Sequence, residues 1–182
     1  EDEELNKIDF DNKVILLTAH RRENWGEPMK NIFAAVREVA EQNDDVQIIF
    51  PMHKNPLIRD LARESFNGIE HKVALIEPLE YVDFANLMNK CYLIMTDSGG
   101  IQEEAPALGK PVIVLRTETE RPEAVKAGTV RLAGVERNRI FEITSELVNN
   151  DFEYHKMAHA INPYGDGKAC ERIVELIVKH FN

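Results

Sequence analysis

Short apolar runs alternate with amphipathic stretches along almost the whole chain, and this alternation limits the fold more than any other feature. Val14-Ile15-Leu16-Leu17-Thr18-Ala19 is apolar without a break, as expected for a strand covered on both faces. Pro28 suits a first helical turn, and Ile32, Phe33, Val36, Val39 and Ala40 then recur at helical spacing. Val46-Gln47-Ile48-Ile49-Phe50 reads as a second strand stopped by Pro51, and Pro56 opens a helix with Leu57, Ile58, Leu61 and Ala62 on one face. Val73-Ala74-Leu75-Ile76 reads as a third strand, with a helix over 81–89. The fourth is Cys91-Tyr92-Leu93-Ile94-Met95, followed by a short helix over 101–109. The fifth is Pro111-Val112-Ile113-Val114-Leu115, and residues 129–132 are a short sixth candidate. Helices are expected at 137–149, 152–160 and 173–181. Strand and helix joined by short connections predict an α/β fold: a Rossmann-like parallel sheet with helices on both faces.

A sheet of that kind binds ligands beyond the carboxyl ends of its strands. Three loops therefore matter: 19–28, 51–56 and 97–100. The last lies in Thr96-Asp97-Ser98-Gly99-Gly100-Ile101-Gln102-Glu103-Glu104. A strand, a Ser-Gly-Gly turn and a helix start place free N–H groups at one point, where they can cradle an anion. Glu103 or Glu104 would then be placed to accept hydrogen bonds from sugar hydroxyls. An ordinary strand-to-helix turn with Ser98 as N-cap fits the same letters.

The first of these loops carries His20-Arg21-Arg22-Glu23-Asn24, with groups for proton transfer and anion binding, or simply a solvated charged surface. His53, in Pro51-Met52-His53-Lys54-Asn55-Pro56, could meet His20 across the top of the sheet, although Asn-Pro is also plain turn chemistry. Arg121 follows the fifth strand in a polar stretch, where it could hold phosphate or pair with Glu103 or Glu104. His155 and His159 have metal-compatible spacing but no Glu or Cys partner to complete a zinc motif, so an exposed helix face is expected. Asn162-Pro163-Tyr164-Gly165-Asp166-Gly167 reads as a tight turn whose tip could touch a ligand.

Composition narrows the function classes. The 182 residues carry a net charge of −10, which disfavours nonspecific nucleic-acid and anionic-membrane binding but leaves room for a nucleotide in a local site. No apolar run reaches the ~20 residues of a membrane span. The acidic start, Glu1-Asp2-Glu3-Glu4, is unlike a signal peptide, and a cytoplasmic location is expected. Cys91 and Cys170 stand in apolar contexts and read as buried free thiols. Residues 1–12 read as an acidic linker or hinge, and 13–182 as one domain.

The motifs, taken in order, resemble the non-hydrolysing UDP-N-acetylglucosamine 2-epimerase family. They are Thr18-Ala19-His20-Arg21-Arg22-Glu23-Asn24, the His53 loop, the Ser98-Gly99-Gly100 segment through Pro106, Thr119-Glu120-Arg121-Pro122-Glu123 and the Tyr164 turn. The resemblance covers only the family's carboxyl-terminal, UDP-binding lobe, one of two Rossmann-like lobes in a GT-B arrangement, and the amino-terminal lobe is absent. It implies that Ser98, Gly99 and Gly100 hold the diphosphate and Glu104 the ribose. Phe84, Leu79 and Tyr81 would border the uracil. His20 and Arg121 would be the catalytic histidine and cleft arginine. Arg21 and His53 would belong to a second, activating UDP-N-acetylglucosamine site. Leu79 stands where some members carry Gln. The implied reaction interconverts UDP-N-acetylglucosamine and UDP-N-acetylmannosamine by elimination and re-addition of UDP, supplying cell-surface polysaccharide precursors. It requires no metal or other cofactor. The proton-transferring carboxylates would lie in the other lobe, so this chain alone is expected to bind nucleotide and turn over nothing. The full-length protein is expected to be a homodimer. A GT-B glycosyltransferase donor lobe and a non-catalytic nucleotide-sugar module are the competing readings.

Overall fold

A computed structural model describes residues 5–181; the acidic opening Glu1-Asp2-Glu3-Glu4 and Asn182 lie outside the described residues. Six strands form one sheet: β1 (Lys13–Thr18), β2 (Val46–Pro51), β3 (Val73–Ile76), β4 (Leu93–Thr96), β5 (Val112–Val114) and β6 (Val130–Leu132). All pairings are parallel, in the order β3-β2-β1-β4-β5-β6. The connections are the helices α1 (Glu27–Gln42), α2 (Pro56–Ser65), α3 (Tyr81–Lys90), α4 (Ile101–Ala107) and α5 (Pro122–Ala127). After β6 come α6 (Arg137–Asn149), α7 (Asp151–Ala158) and α8 (Ala169–Phe181). The expected α/β architecture is what forms.

The two-residue period of each strand divides its side chains between two cores. Ile15 and Leu17 of β1, Ile48 and Phe50 of β2 and Met95 of β4 pack beneath α1, α2 and α6, around a fully buried Phe33. Val14 and Leu16 of β1, Ile49 of β2 and Ile94 of β4 enter the opposite layer, with Leu87 and Met88 of α3, Ala105 of α4 and Ala124 of α5. Both faces are covered, which is why the strands read as unbroken apolar runs.

The chain winds from β1 outward to β3, then returns to place β4 on the other side of β1. Reversal of strand order opens a crevice at the carboxyl ends of β1 and β4. Their register sets Thr18 beside Thr96, and the two hydroxyls share a buried 2.6 Å hydrogen bond. The loops carrying His20 and Ser98 therefore leave the sheet side by side.

Several elements differ from the sequence expectation. α5 occupies part of the stretch read as a polar loop; Pro122 opens it and Gly128, at φ +81°, ends it in a left-handed turn. α8 begins at Ala169, earlier than expected, and buries none of its residues, leaving Ile173, Leu176, Ile177 and Phe181 exposed. Cys170, on that helix, is exposed rather than buried; Cys91 is buried, which pushes its thiol up to about 12. In the amino-terminal stretch, Leu5–Lys7 form a 3-10 turn and Ile8 is buried against the second core. The Gln47 side chain ties this stretch to β2 by accepting from the Asp9 N–H at 2.8 Å.

Candidate functional site

The Ser98-Gly99-Gly100 turn joins the end of β4 to α4. Gly100 holds the N-cap position with φ −63° and ψ −43°, and no side chain caps the helix. This corrects the alternative that made Ser98 the N-cap. The Ser98 N–H instead donates to Thr96 Oγ1 at 3.0 Å, and its carbonyl accepts from Gln102 Nε2 at 3.1 Å. Among the described residues, the N–H groups of Gly99, Gly100, Ile101 and Gln102 have no backbone acceptor. Gly99 is half-buried and Gly100 exposed, so the donors of these two residues are open to a ligand, whereas Gln102 is buried. α4 is only seven residues long, so the discrete N–H groups matter more than its dipole.

Arg121 lies over this turn. Its Nε donates to Glu103 Oε1, and its Nη2 stands 4.0 Å from where a Cβ on Gly99 would be. The open choice of carboxylate partner is thus resolved as Glu103. Glu104 stays exposed, with Oε1 3.7 Å from the Cβ position of Gly100.

Ile101 also lines a cleft of about 430 Å³, together with Thr18, His20, Met52, His53, Leu79 and Phe84, among others. The His20 and His53 rings stack with centroids 6.3 Å apart and planes at 20°. Phe84 is half-buried at the cleft wall, whereas Tyr81, the first residue of α3, is exposed and outside that wall. Arg21 turns away from the cleft. Its guanidinium reaches Glu120 at 3.5 Å and Glu23 at 3.9 Å, and Arg116 bridges the same two carboxylates. Arg116 holds the Glu120 carboxyl down to about 2.

Asp97 connects these parts. Its side chain is wholly buried, and Oδ2 accepts from the N–H groups of His20 and Arg21 at 2.9 Å each and from Asn24 Nδ2 at 3.0 Å. Oδ1 lies 3.0 Å from His20 Nδ1, off the line of a well-formed hydrogen bond. Burial pushes the Asp97 carboxyl upward; His20 and the N–H donors outweigh it and hold the group below its ordinary value. Asp97 in turn raises His20 above its ordinary value, against burial and the charge of Arg21.

With this geometry in place, comparison with known proteins is decisive. The family model described as UDP-N-acetylglucosamine 2-epimerase matches residues 1–178. The chain belongs to that family. It is 53% identical over 171 residues to the UDP-N-acetylglucosamine 2-epimerase of Bacillus subtilis, covering 94% of this chain and 45% of the relative. It is similar to the S. aureus MnaA–UDP co-structure, with TM-score 0.91, 48% identity, all of this chain and 49% of that one covered. The Neisseria meningitidis UDP-GlcNAc 2-epimerase bound to UDP-GlcNAc gives TM-score 0.88 and 48% identity, covering 97% of this chain and 47% of that one. The chain spans about half the length of the curated relatives it matches.

No role for Asp97 or Asn24 was legible in the sequence. A positional signal for Asp97 did exist: it sits at the carboxyl end of an apolar strand, where functional side chains gather, and a carboxylate buried there needs donors. Asn24 had no such signal, because its partners, Asp97 and the Leu115 carbonyl, come from distant strands. His155 and His159 are exposed, with rings 5.4 Å apart, and no group of metal-ligating side chains occurs among the described residues. The Tyr164 turn packs its ring against the second core. Among the described residues no helix is long and apolar enough to cross a membrane.

Proposed function

We propose that this chain is the UDP-binding half, residues 13–182, of an enzyme that interconverts UDP-N-acetylglucosamine and UDP-N-acetylmannosamine through elimination and re-addition of UDP. The observation that carries this reading is the row of open N–H donors at Gly99 and Gly100, set beside His20 where the strand order reverses. The likeness to a UDP-bound relative at TM-score 0.91 supports it. Ser98, Gly99 and Gly100 receive the diphosphate, and Glu104 the ribose hydroxyls. Phe84 and Leu79 border the uracil on the cleft wall, and Tyr81 lies at its outer margin. Breaking the anomeric C–O bond moves negative charge onto the departing diphosphate. Fixed N–H donors, the Arg121 guanidinium and a protonated His20 stabilise that charge where it develops.

Arg21 and His53 are assigned to a second nucleotide-sugar site. His53 reaches the cleft beside His20, while Arg21 would have to leave its acidic partners. The carboxylates that move protons at the sugar are assigned to the other half of the enzyme, so the chain alone binds without turnover. Residues 1–12 are assigned as the acidic linker to that half. A cytoplasmic homodimer with no nucleic-acid or membrane partner completes the reading.

Calorimetry of the chain with UDP, and with ADP as a control, tests the site. UDP should bind and ADP should bind more weakly; equal or absent binding refutes it. Formation of UDP-N-acetylmannosamine by the full-length protein tests the reaction and separates it from sugar transfer.

A further inference from the structure

We propose that Asp97 is a positioning residue: its buried carboxylate fastens the loop after β1 to the end of β4 and holds His20 with Nδ1 as the hydrogen-bearing nitrogen, so that Nε2 faces the cleft.

Three observations carry this. First, Oδ2 collects three donors from the loop after β1, the His20 and Arg21 N–H groups and Asn24 Nδ2, so one oxygen sets the loop's path. Second, Oδ1 is buried and has no in-line donor, and the nearest polar group facing it is His20 Nδ1, 3.0 Å away. A carboxylate oxygen can only accept, and a bare Nδ1 lone pair 3.0 Å from it would be repelled, so the hydrogen is assigned to Nδ1. Third, the His20 ring lines the cleft, and with Nδ1 engaged its remaining nitrogen is the one presented there.

The charges around the ring make the carboxylate decisive. From its own loop His20 meets Arg21, and from the loop after β2 the His53 ring and, along the same cleft, Lys54. Of these, Arg21 opposes a proton on His20, as does burial of the ring. Among the described residues, the one carboxylate in contact with the ring is Asp97. When the ring is protonated, Nε2–H becomes a donor aimed at the crevice, which is what an anion there requires. This deepens the diphosphate reading, and only its ligand arm rests on that reading.

Asp97→Asn separates the roles. The amide oxygen can replace Oδ2 and keep the loop. The amide nitrogen would then face Nδ1, and it can only donate. Nitrogen-15 NMR of the His20 ring should show the Nδ1–H tautomer in the unchanged chain, titrating above the free-imidazole value of about 6.5. In Asp97→Asn it should show the Nε2–H tautomer and a midpoint lower by about one unit or more. UDP affinity at pH 6 should weaken by up to about fivefold in the variant, and by pH 9 the wild-type advantage should be gone, because its neutral ring then presents a bare Nε2 acceptor whereas the variant's Nε2 still carries a hydrogen. His53→Gln should leave the tautomer unchanged. The same tautomer and midpoint in wild type and Asp97→Asn would overturn the proposal. So would an Nε2–H tautomer in the unchanged chain, a result that needs no variant to fold. If UDP binds neither protein while the tautomer inverts, the positioning role stands and the nucleotide reading falls.

Discussion

Replacing Gly99 or Gly100 by Ala should leave folding intact and damage binding, and the two effects should have opposite signs. Neither glycine has positive φ. A Cβ on Gly99 would find only Arg121 Nη2, at 4.0 Å; one on Gly100 would find Glu104 Oε1 at 3.7 Å and Ser98 Oγ at 4.0 Å. These are ordinary contacts, so no strain opposes the methyl group. Fewer unfolded conformations should then stabilise each variant by about 0.4–1 kcal/mol. In the complex, the methyl group occupies the space through which a phosphate must approach the Gly99 and Gly100 N–H groups. Losing one charge-assisted hydrogen bond costs about 1.5–3 kcal/mol, a factor of roughly 10 to 150 in Kd. Urea unfolding gives the first quantity and calorimetry with UDP the second. Unchanged UDP affinity in both variants would show that the anion does not approach these amides. A loss of more than about 1 kcal/mol of stability would show that the steric argument is wrong.

Three further outcomes are expected. The His20–Asp97 contact stabilises the fold fully only between the unfolded values of the two groups, roughly pH 4 to 6.5. His20 is raised, so its share fades as pH climbs through its folded value; Asp97 is lowered, so its share fades as pH drops through its folded value. The stability difference between wild type and His20→Ala should thus be largest near pH 5–6 and smaller by pH 9, and a flat profile in urea titrations would contradict this. Phe33→Ala should cost about 3–5 kcal/mol by urea unfolding, because Phe33 is wholly buried and its ring meets those of Phe50 and Phe66 at 5.4 and 5.3 Å. Deleting residues 169–182 should change the stability of the sheet domain by no more than about 0.5 kcal/mol, since α8 buries none of its side chains against it; a markedly lower urea midpoint would refute that.

The sequence by itself determined the kind of fold and the position of the candidate loops. Runs such as Val14–Leu17 and Leu93–Met95 are apolar at every position, as a strand covered on both faces requires, and their shortness and flanking turn residues favour strand over helix. Pro28 and Pro56 mark helix starts because a missing N–H costs nothing in a first turn. The Ser-Gly-Gly turn was visible for the same local reason. What spacing could not convey is which strand ends become neighbours. The placement of β4 against β1 joins Asp97 to His20, Arg21 and Asn24 across more than seventy residues of chain. Arg121 chose Glu103 over Glu104, and Cys170 was left exposed on a helix with no core beneath it. Local pattern reflects how a segment buries its own apolar groups. Partners for a buried charge come from wherever the fold brings donors, and that is decided only when the sheet assembles.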